Sequence, residues 1–126
     1  MNLSLSQEHL TVCQLAAEAP IPEWAATARS FVSITRTKEE LSIVCTEDLP
    51  PSAVKQESGW RMFKIEGPLD FGLTGILASV LDPLAKAGVS IFAISTFNTD
   101  YVLVKADRVD AAIHALRAAG HAVDGA

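Results

Sequence analysis

The sequence predicts an α+β protein built from two β-α-β-β-α-β modules, the first degenerate, each with helices on one face of an antiparallel sheet. Three observations lead to this prediction: clear strands and helix stripes in the C-terminal half, the same order of elements in shortened form before it, and a short internal repeat. The chain has 126 residues, 49% of them hydrophobic and 20% charged, enough for one domain or two very small ones. The predicted modules are residues 1–58 and 59–126.

The C-terminal module begins with a strand at 60–65, where large apolar and polar residues alternate. Turn residues at 67–72 end the strand, and a helix is predicted from Leu73 to Ala87. Its apolar stripe consists of Ile76, Leu77, Val80, Leu81 and Leu84. Pro83 is expected to kink or restart this helix, because proline lacks the N–H that would reach the carbonyl of Ser79.

Two further strands, 89–95 and 100–105, are predicted to form a hairpin through the turn 96–99. Asp107 is expected to cap a last helix, which a short strand at 121–123 follows. The inward stripe of that helix is Val109, Ala112, Ile113 and Leu116. This order of elements is that of ferredoxin-like domains.

The N-terminal module is predicted as a shortened copy of this unit. It offers a strand at 9–15, at most two helical turns within 20–28, a hairpin of strands 31–36 and 40–45, and a short helix opening at Pro50-Pro51.

An internal repeat supports duplication. A gapless overlay places residues 33–44 over 93–104. It matches Ile34 with Ile94, Glu40 with Asp100, and Val44 with Val104. Each copy is near the lower size limit for independent folding, so the two are expected to pack together or into an oligomer.

The composition excludes several classes of function. The net charge is −5 and the ten Lys and Arg residues are scattered, so no nucleic-acid partner is expected. No apolar run approaches the roughly 20 residues that cross a bilayer, and the N-terminus lacks a signal-peptide pattern. Cys13 and Cys45 lie in apolar runs and are interpreted as buried thiols of a cytoplasmic protein. Two Cys and three scattered His form no ligand spacing, so neither a metal nor another cofactor is expected.

Three segments of the C-terminal half, 67–77, 84–91 and 94–101, resemble ACT domains. The similarity is to the aspartate kinase regulatory domains and to the paired-ACT proteins related to the CASTOR arginine sensors. Segments 31–37 and 41–45 resemble the same paired-ACT group. The resemblance implies a non-catalytic sensor, most simply a homodimer, that binds a free amino acid between paired modules and regulates a separate partner, such as an enzyme, in trans.

A free amino acid carries a carboxylate and an ammonium on one carbon, so its site needs N–H donors beside an anion. The first amides of the helix expected at Leu73 would receive the carboxylate, and Gly72 and Gly75 would let it approach the backbone. Asp100, or else Asp70, would receive the ammonium. The predicted ligand-binding residues are Asp70, Phe71, Gly72, Leu73, Thr74, Gly75, Ser95, Thr96, Asn98 and Asp100. Phe71 and Phe97 are expected to exclude water from this site.

Each of these residues also has a structural interpretation. Asp70 can cap the helix, while Asp100 and Asn98 can be turn residues. Ser95 and Thr96 suit a strand end, and the two phenylalanines suit a core or a subunit interface. The first module, with Arg36 and Glu40 in the corresponding hairpin, is expected to have lost its site.

The sequence also departs from the family pattern. The aspartate kinase loop usually carries a Pro-Gly pair where this chain has Thr74-Gly75, and the identity of the ligand, or whether one binds, stays open.

Two other classes of function stay open. A ligand-free dimerisation or protein-interaction module would use exposed sheet edges. An enzyme would need a catalytic set, but His9, His114 and His121 lie in three separate elements and are expected to be solvated.

Overall fold

The computed structural model describes residues 1–66 and 75–125, and within them the chain forms eight strands and three α-helices. The strands are β1 (Asn2–Leu5), β2 (Leu10–Leu15), β3 (Val32–Arg36), β4 (Leu41–Thr46), β5 (Lys55–Ile65), β6 (Phe92–Ser95), β7 (Asp100–Lys105) and β8 (Ala122–Asp124). The helices are α1 (Glu23–Ala26), α2 (Ile76–Lys86) and α3 (Val109–Ala118). Two compact units result: a larger unit of Met1–Gln7 and Trp60–Ala126, and a smaller unit of Glu8–Gly59.

The strands of the larger unit lie in the order β6-β7-β5-β1-β8. Strand β1, which the sequence analysis did not predict, pairs antiparallel with β5 (Leu3 with Ile65) and parallel with β8 (Leu3 with Val123). The arrangement is therefore mixed rather than antiparallel. Leu3 is fully buried, which explains why a four-residue strand holds this inner position. The predicted division at residue 58 placed these first residues with the other module.

Both long helices of the larger unit pack on one apolar core, as predicted. The core consists of Leu3, Leu5, Phe63, Ile65, Val80, Leu84, Val89, Val102, Val104, Val109, Ala112, Ile113, Leu116 and Val123. Ile76, Leu77 and Leu81 are partly buried against it. Both predicted helix stripes therefore face inward, because residues three and four apart share one side of a helix.

Helix α2 runs without interruption through Pro83, so it does not restart there. Proline donates no hydrogen bond to the carbonyl of Ser79, and the Nε2 atom of His121 contacts that oxygen at 2.8 Å instead. The Nδ1 atom of His121 lies 3.1 Å from the amino group of Met1. His121 is only 9% exposed, so the expectation that it is solvated was wrong.

Two other boundaries in the larger unit differ from the prediction. Asp107 lies within a 3-10 turn (Ala106–Arg108), and no side chain of the described residues caps α3, which begins at Val109. Strand β6 begins at Phe92 rather than at 89, because the chain first closes α2 with the bond from the N–H of Val89 to the carbonyl of Leu84.

The smaller unit holds β2, β3 and β4, with β4 between β3 and β2, and the first half of β5 beside β2. One turn of helix, α1, covers its core with loop residues. That core consists of Cys13, Ala25, Leu41, Ile43 and Cys45, with Leu15, Ala19, Trp24, Val32, Leu49 and Val54 packed against it.

The predicted helix at Pro50-Pro51 is absent from the described residues 50–54, which form a turn instead. In this turn, the N–H of Val54 donates to the carbonyl of Pro51 at 3.1 Å. The chain then enters β5 at Lys55, five residues before the predicted start of that strand.

Candidate functional site

The β6–β7 hairpin of the larger unit carries four of the predicted site residues. Its turn is fixed by Thr96, whose N–H donates to the carbonyl of Thr99 at 2.8 Å and whose Oγ1 donates to the same oxygen at 3.2 Å. In return, the N–H of Thr99 donates to Oγ1 of Thr96 at 3.3 Å. Thr96 therefore shapes the hairpin through its own hydroxyl, as short polar side chains do in turns.

Ser95 and Asp100 form the last residue pair before this turn. The hydroxyl of Ser95 donates to Oδ1 of Asp100, so the structure brings two predicted site residues together. Asp100 is half-buried and Ser95 is exposed. An ionised carboxylate accepts about four hydrogen bonds, so a single hydroxyl leaves acceptor capacity for a ligand ammonium.

Thr99 is a residue of this region that the sequence analysis missed. It is 5% exposed, and its Oγ1 donates to the carbonyl of Ile65 at the end of β5. The bond holds the hairpin turn beside the point where the chain leaves β5. A threonine next to Asp100 in a four-residue turn was the available signal, but sequence does not reveal whether such a hydroxyl bonds within the turn or across strands.

The carboxylate of Glu66, directly after β5, is already engaged. Its Oε1 lies 3.7 Å from Nζ of Lys64, and its Oε2 accepts a hydrogen bond from the hydroxyl of Ser4. Asp100 is therefore the better receptor for an added ammonium at this end of the strands.

Gly75 immediately precedes α2 and has a left-handed backbone, with φ +77°. A Cβ at this position would meet no described atom within 4 Å, so the glycine is required by backbone conformation rather than by a close protein contact. No side chain of the described residues caps α2. The hydroxyl of Ser79 turns back to the carbonyl of Ile76 at 2.6 Å.

The remaining predicted residues divide into two groups. Asp70, Phe71, Gly72, Leu73 and Thr74 lie outside the described residues. Asn98 is exposed at the hairpin turn, and Phe97 is 81% exposed. Phe97 therefore does not shield a buried site within the single chain.

The β3–β4 hairpin of the smaller unit has the same turn. The N–H of Thr37 donates to the carbonyl of Glu40 at 2.9 Å, and Oγ1 of Thr37 accepts from the N–H of Glu40 at 3.2 Å. Arg36 and Leu41 form the last pair before it. Thr37 therefore occupies the same position in its turn as Thr96 does in the other hairpin.

This register corrects the repeat by one position. The gapless overlay matched Glu40 with Asp100, whereas the strand pairing matches Leu41 with Asp100 and Arg36 with Ser95. A shift of one residue moves a side chain to the opposite face of a strand. Leu41 is fully buried, so the smaller unit has an apolar side chain where the larger unit has the Asp100 carboxylate.

The two cysteines of the smaller unit are unsuited to nucleophilic catalysis. Both thiols are free and buried, as predicted. Burial raises the pKa of Cys13, and burial followed by the neighbouring Cys13 raises the pKa of Cys45 to about 12. A thiol attacks as the thiolate, so these pKa shifts oppose reactivity at neutral pH.

Two further observations bear on other kinds of site. Within the described residues, no group of three or more His, Cys, Asp or Glu side chains is arranged to hold a metal ion. No helix in the described ranges is long and apolar enough to cross a membrane.

Comparison with known proteins places this geometry in a family. The ACT domain model matches residues 55–118, and a model of an N-terminal domain matches residues 8–53. The human cytosolic arginine sensor for mTORC1 subunit 1 is 35% identical over 121 residues, which cover 90% of this chain and 36% of the relative. The chain thus spans about a third of the length of the curated relatives it matches.

Solved structures agree with this assignment. The crystal structure of a protein from Agobacterium tumefaciens is 41% identical, has a TM-score of 0.91, and covers 97% of this chain and 90% of its own. The ligand-free regulatory subunit of aspartate kinase from Thermus thermophilus shares the fold, with a TM-score of 0.63 at 14% identity over 94% of this chain and 96% of its own. The chain belongs to the ACT domain family.

Proposed function

We propose that this chain is a non-catalytic sensor of a free amino acid and that it regulates a separate partner. The observation that carries the proposal is the Ser95–Asp100 pair, which Thr99 holds beside the end of β5. A carboxylate with spare acceptor capacity at this position suits the ammonium of a zwitterion.

The carboxylate of the ligand is assigned to the backbone amides at the start of α2. The first turn of a helix has N–H groups without intrahelical partners, and its dipole favours a negative group. The absence of a side-chain cap on α2 among the described residues supports this assignment. Asp70, Phe71, Gly72, Leu73 and Thr74 complete the proposed site.

The relatives support an amino acid as ligand. The curated relatives are named as arginine sensors, and one structural neighbour is the regulatory subunit of an aspartate kinase. Arginine is therefore the first amino acid to test.

The two units are proposed to be two ACT modules, the first degenerate, because both carry the same threonine-fixed hairpin turn. We place the protein in the cytoplasm, in line with the cytosolic arginine sensors among its relatives.

A homodimer is also proposed. Phe97, at 81% exposure on the turn beside the site, is a large apolar side chain suited to a second copy. The same exposure favours the alternative function, a ligand-free interaction module, in which this turn serves dimerisation alone.

A thermal-shift screen of the twenty amino acids tests the sensor. A ligand at 100 times its Kd should add about 2.7 kcal/mol to the free energy of unfolding. Asp100→Asn should lose most of that shift, while the matched surface control Asp124→Asn should keep it. Stabilisation by none of the twenty amino acids would overturn the sensor, and equal shifts in the two variants would show that the ammonium binds elsewhere.

A further inference from the structure

The side chain of Arg36 forms hydrogen bonds with a loop of its own unit. Its Nη2 donates to the carbonyl of Ala19 at 2.8 Å, and its Nη1 donates to the carbonyl of Ala17. Both carbonyls belong to the loop after β2, where the N–H of Ala19 also donates to the carbonyl of Ala16 at 3.0 Å. One planar guanidinium thus binds two carbonyl oxygens of one short loop. The rigid fork of N–H donors in a guanidinium suits this geometry better than the compact charge of an ammonium does.

The strand register gives this contact its meaning. Arg36 stands where the larger unit has Ser95, and the loop that it binds follows β2 as residues 67–74 follow β5. The hairpin end that offers a hydroxyl and a carboxylate in the larger unit therefore offers a cation in the smaller one.

We propose that the smaller unit contains a guanidinium-binding site that its own Arg36 already fills, so that this unit takes no free amino acid. The nearby groups agree with an internal occupant. The carboxylate of Glu40 accepts a hydrogen bond from Nε2 of Gln14 at 3.3 Å, and the buried Leu41 offers no polar atom. The ligand chemistry of the emptied site is a guanidinium on an alkyl stem, bound by neutral carbonyl oxygens.

Chemical rescue tests the site directly. Arg36→Ala removes the side chain beyond Cβ, and ethylguanidinium replaces the lost atoms. In Arg36→Ala we expect the amide of Ala19 to exchange with solvent about tenfold faster than in the wild type, because two hydrogen bonds from a charged donor are lost. The matched control, Arg29→Ala, removes an exposed arginine of the same unit and should leave that exchange rate unchanged.

Ethylguanidinium should restore the slow exchange in Arg36→Ala and shift the amide resonances of residues 17–19 saturably. Ethylammonium should do neither, and the wild type should respond to neither compound. Unchanged exchange in Arg36→Ala would overturn the proposal. Equal rescue by ethylammonium would also overturn it, since a point charge would then suffice.

A transfer experiment tests the consequence for ligand binding, which rests on the proposed function. Ser95→Arg places a guanidinium at the position equivalent to Arg36 and next to the Asp100 carboxylate. We expect it to abolish the amino-acid thermal shift, whereas Ala93→Arg, on the same strand face two pairs further from the turn, should retain it. Binding that survives Ser95→Arg would contradict the inference. A wild type that binds no amino acid would refute the proposed function, while the rescue experiment would still decide the guanidinium site.

Discussion

The β3–β4 and β6–β7 hairpins have the same backbone turn but carry different side chains beside it. Thr37 and Thr96 fix the same turn with the same hydrogen bonds. The pair before the turn is Arg36 and Leu41 in one hairpin and Ser95 and Asp100 in the other. A fold can therefore keep its turn geometry while two side chains change the chemistry of the hairpin end, so fold alone does not reveal the function of either hairpin.

The cores of the two units offer the largest test of this comparison. Phe63 is fully buried beneath two long helices, whereas Ile43 lies in a core covered by one helical turn and loops. Phe63→Ala should lower the free energy of unfolding by about 3–5 kcal/mol, because it removes a large side chain and leaves a cavity.

Urea unfolding measures that cost, with Ile43→Ala as the matched variant. The smaller unit has fewer helices to collapse onto but also a smaller side chain to lose. A smaller loss of unfolding free energy for Phe63→Ala than for Ile43→Ala would show that packing beneath two helices does not make the larger core more sensitive to a cavity.

His121 tests how the larger unit supports its proline-containing helix, which the smaller unit does not have. His121→Phe should cost about 1–3 kcal/mol, because the carbonyl of Ser79 loses the partner with which it forms a part-buried hydrogen bond. In the Pro83→Ala background the new N–H can bond that carbonyl, so the same substitution should cost less. Additive costs in this double-mutant cycle would disprove the compensation.

Thr99 sharpens the comparison at the turns themselves. Thr99→Val keeps the shape but removes the hydroxyl that reaches the carbonyl of Ile65, and should cost about 1–2 kcal/mol. Thr37→Val removes an exposed hydroxyl from the equivalent turn and should cost less. Chemical denaturation of the two variants provides the measurement, and equal costs would show that the bond across strands contributes nothing special.

The cysteines predict a pH dependence that belongs to the smaller unit. The pKa of Cys45 is raised to about 12, so the folded state keeps a proton that the unfolded chain loses above about pH 9. The contribution of Cys45 to stability should be level below that pH and fall between about 9 and 12, by at most about 1.4 kcal/mol per pH unit. Cys45→Ala should weaken the decline relative to the wild type when unfolding is followed across that range, and an unchanged slope would contradict it.

Sequence predicted the helices and hairpins well where periodicity was strong. Both buried stripes of the larger unit lie where spacing placed them. Strand β1 was missed because four residues, Asn2–Leu5, give too short an alternation to distinguish from a loop. Its position depends on partners some 60 and 120 residues away, which local pattern does not report.

The site was predictable only in part, for a related reason. The residue types at Ser95 and Asp100 were sufficient to suggest a polar hairpin end, and the structure joins them. The hydrogen bonds of Thr99 to Ile65 and of Arg36 to Ala19 were not predictable, because they depend on which strand end lies beside which loop. The gapless overlay of the repeat was wrong by one residue, because sequence comparison does not detect the turn hydrogen bonds that set the strand register.

Strand β1 also sets the order in which this protein can be completed during synthesis. Residues 2–5 are synthesised long before β8, one of their two strand neighbours. The smaller unit draws on a continuous stretch of chain and can assemble early, whereas the larger unit must wait with one sheet edge open. Until β8 is synthesised, β1 keeps one unpaired edge, which can pair with the strand of another chain.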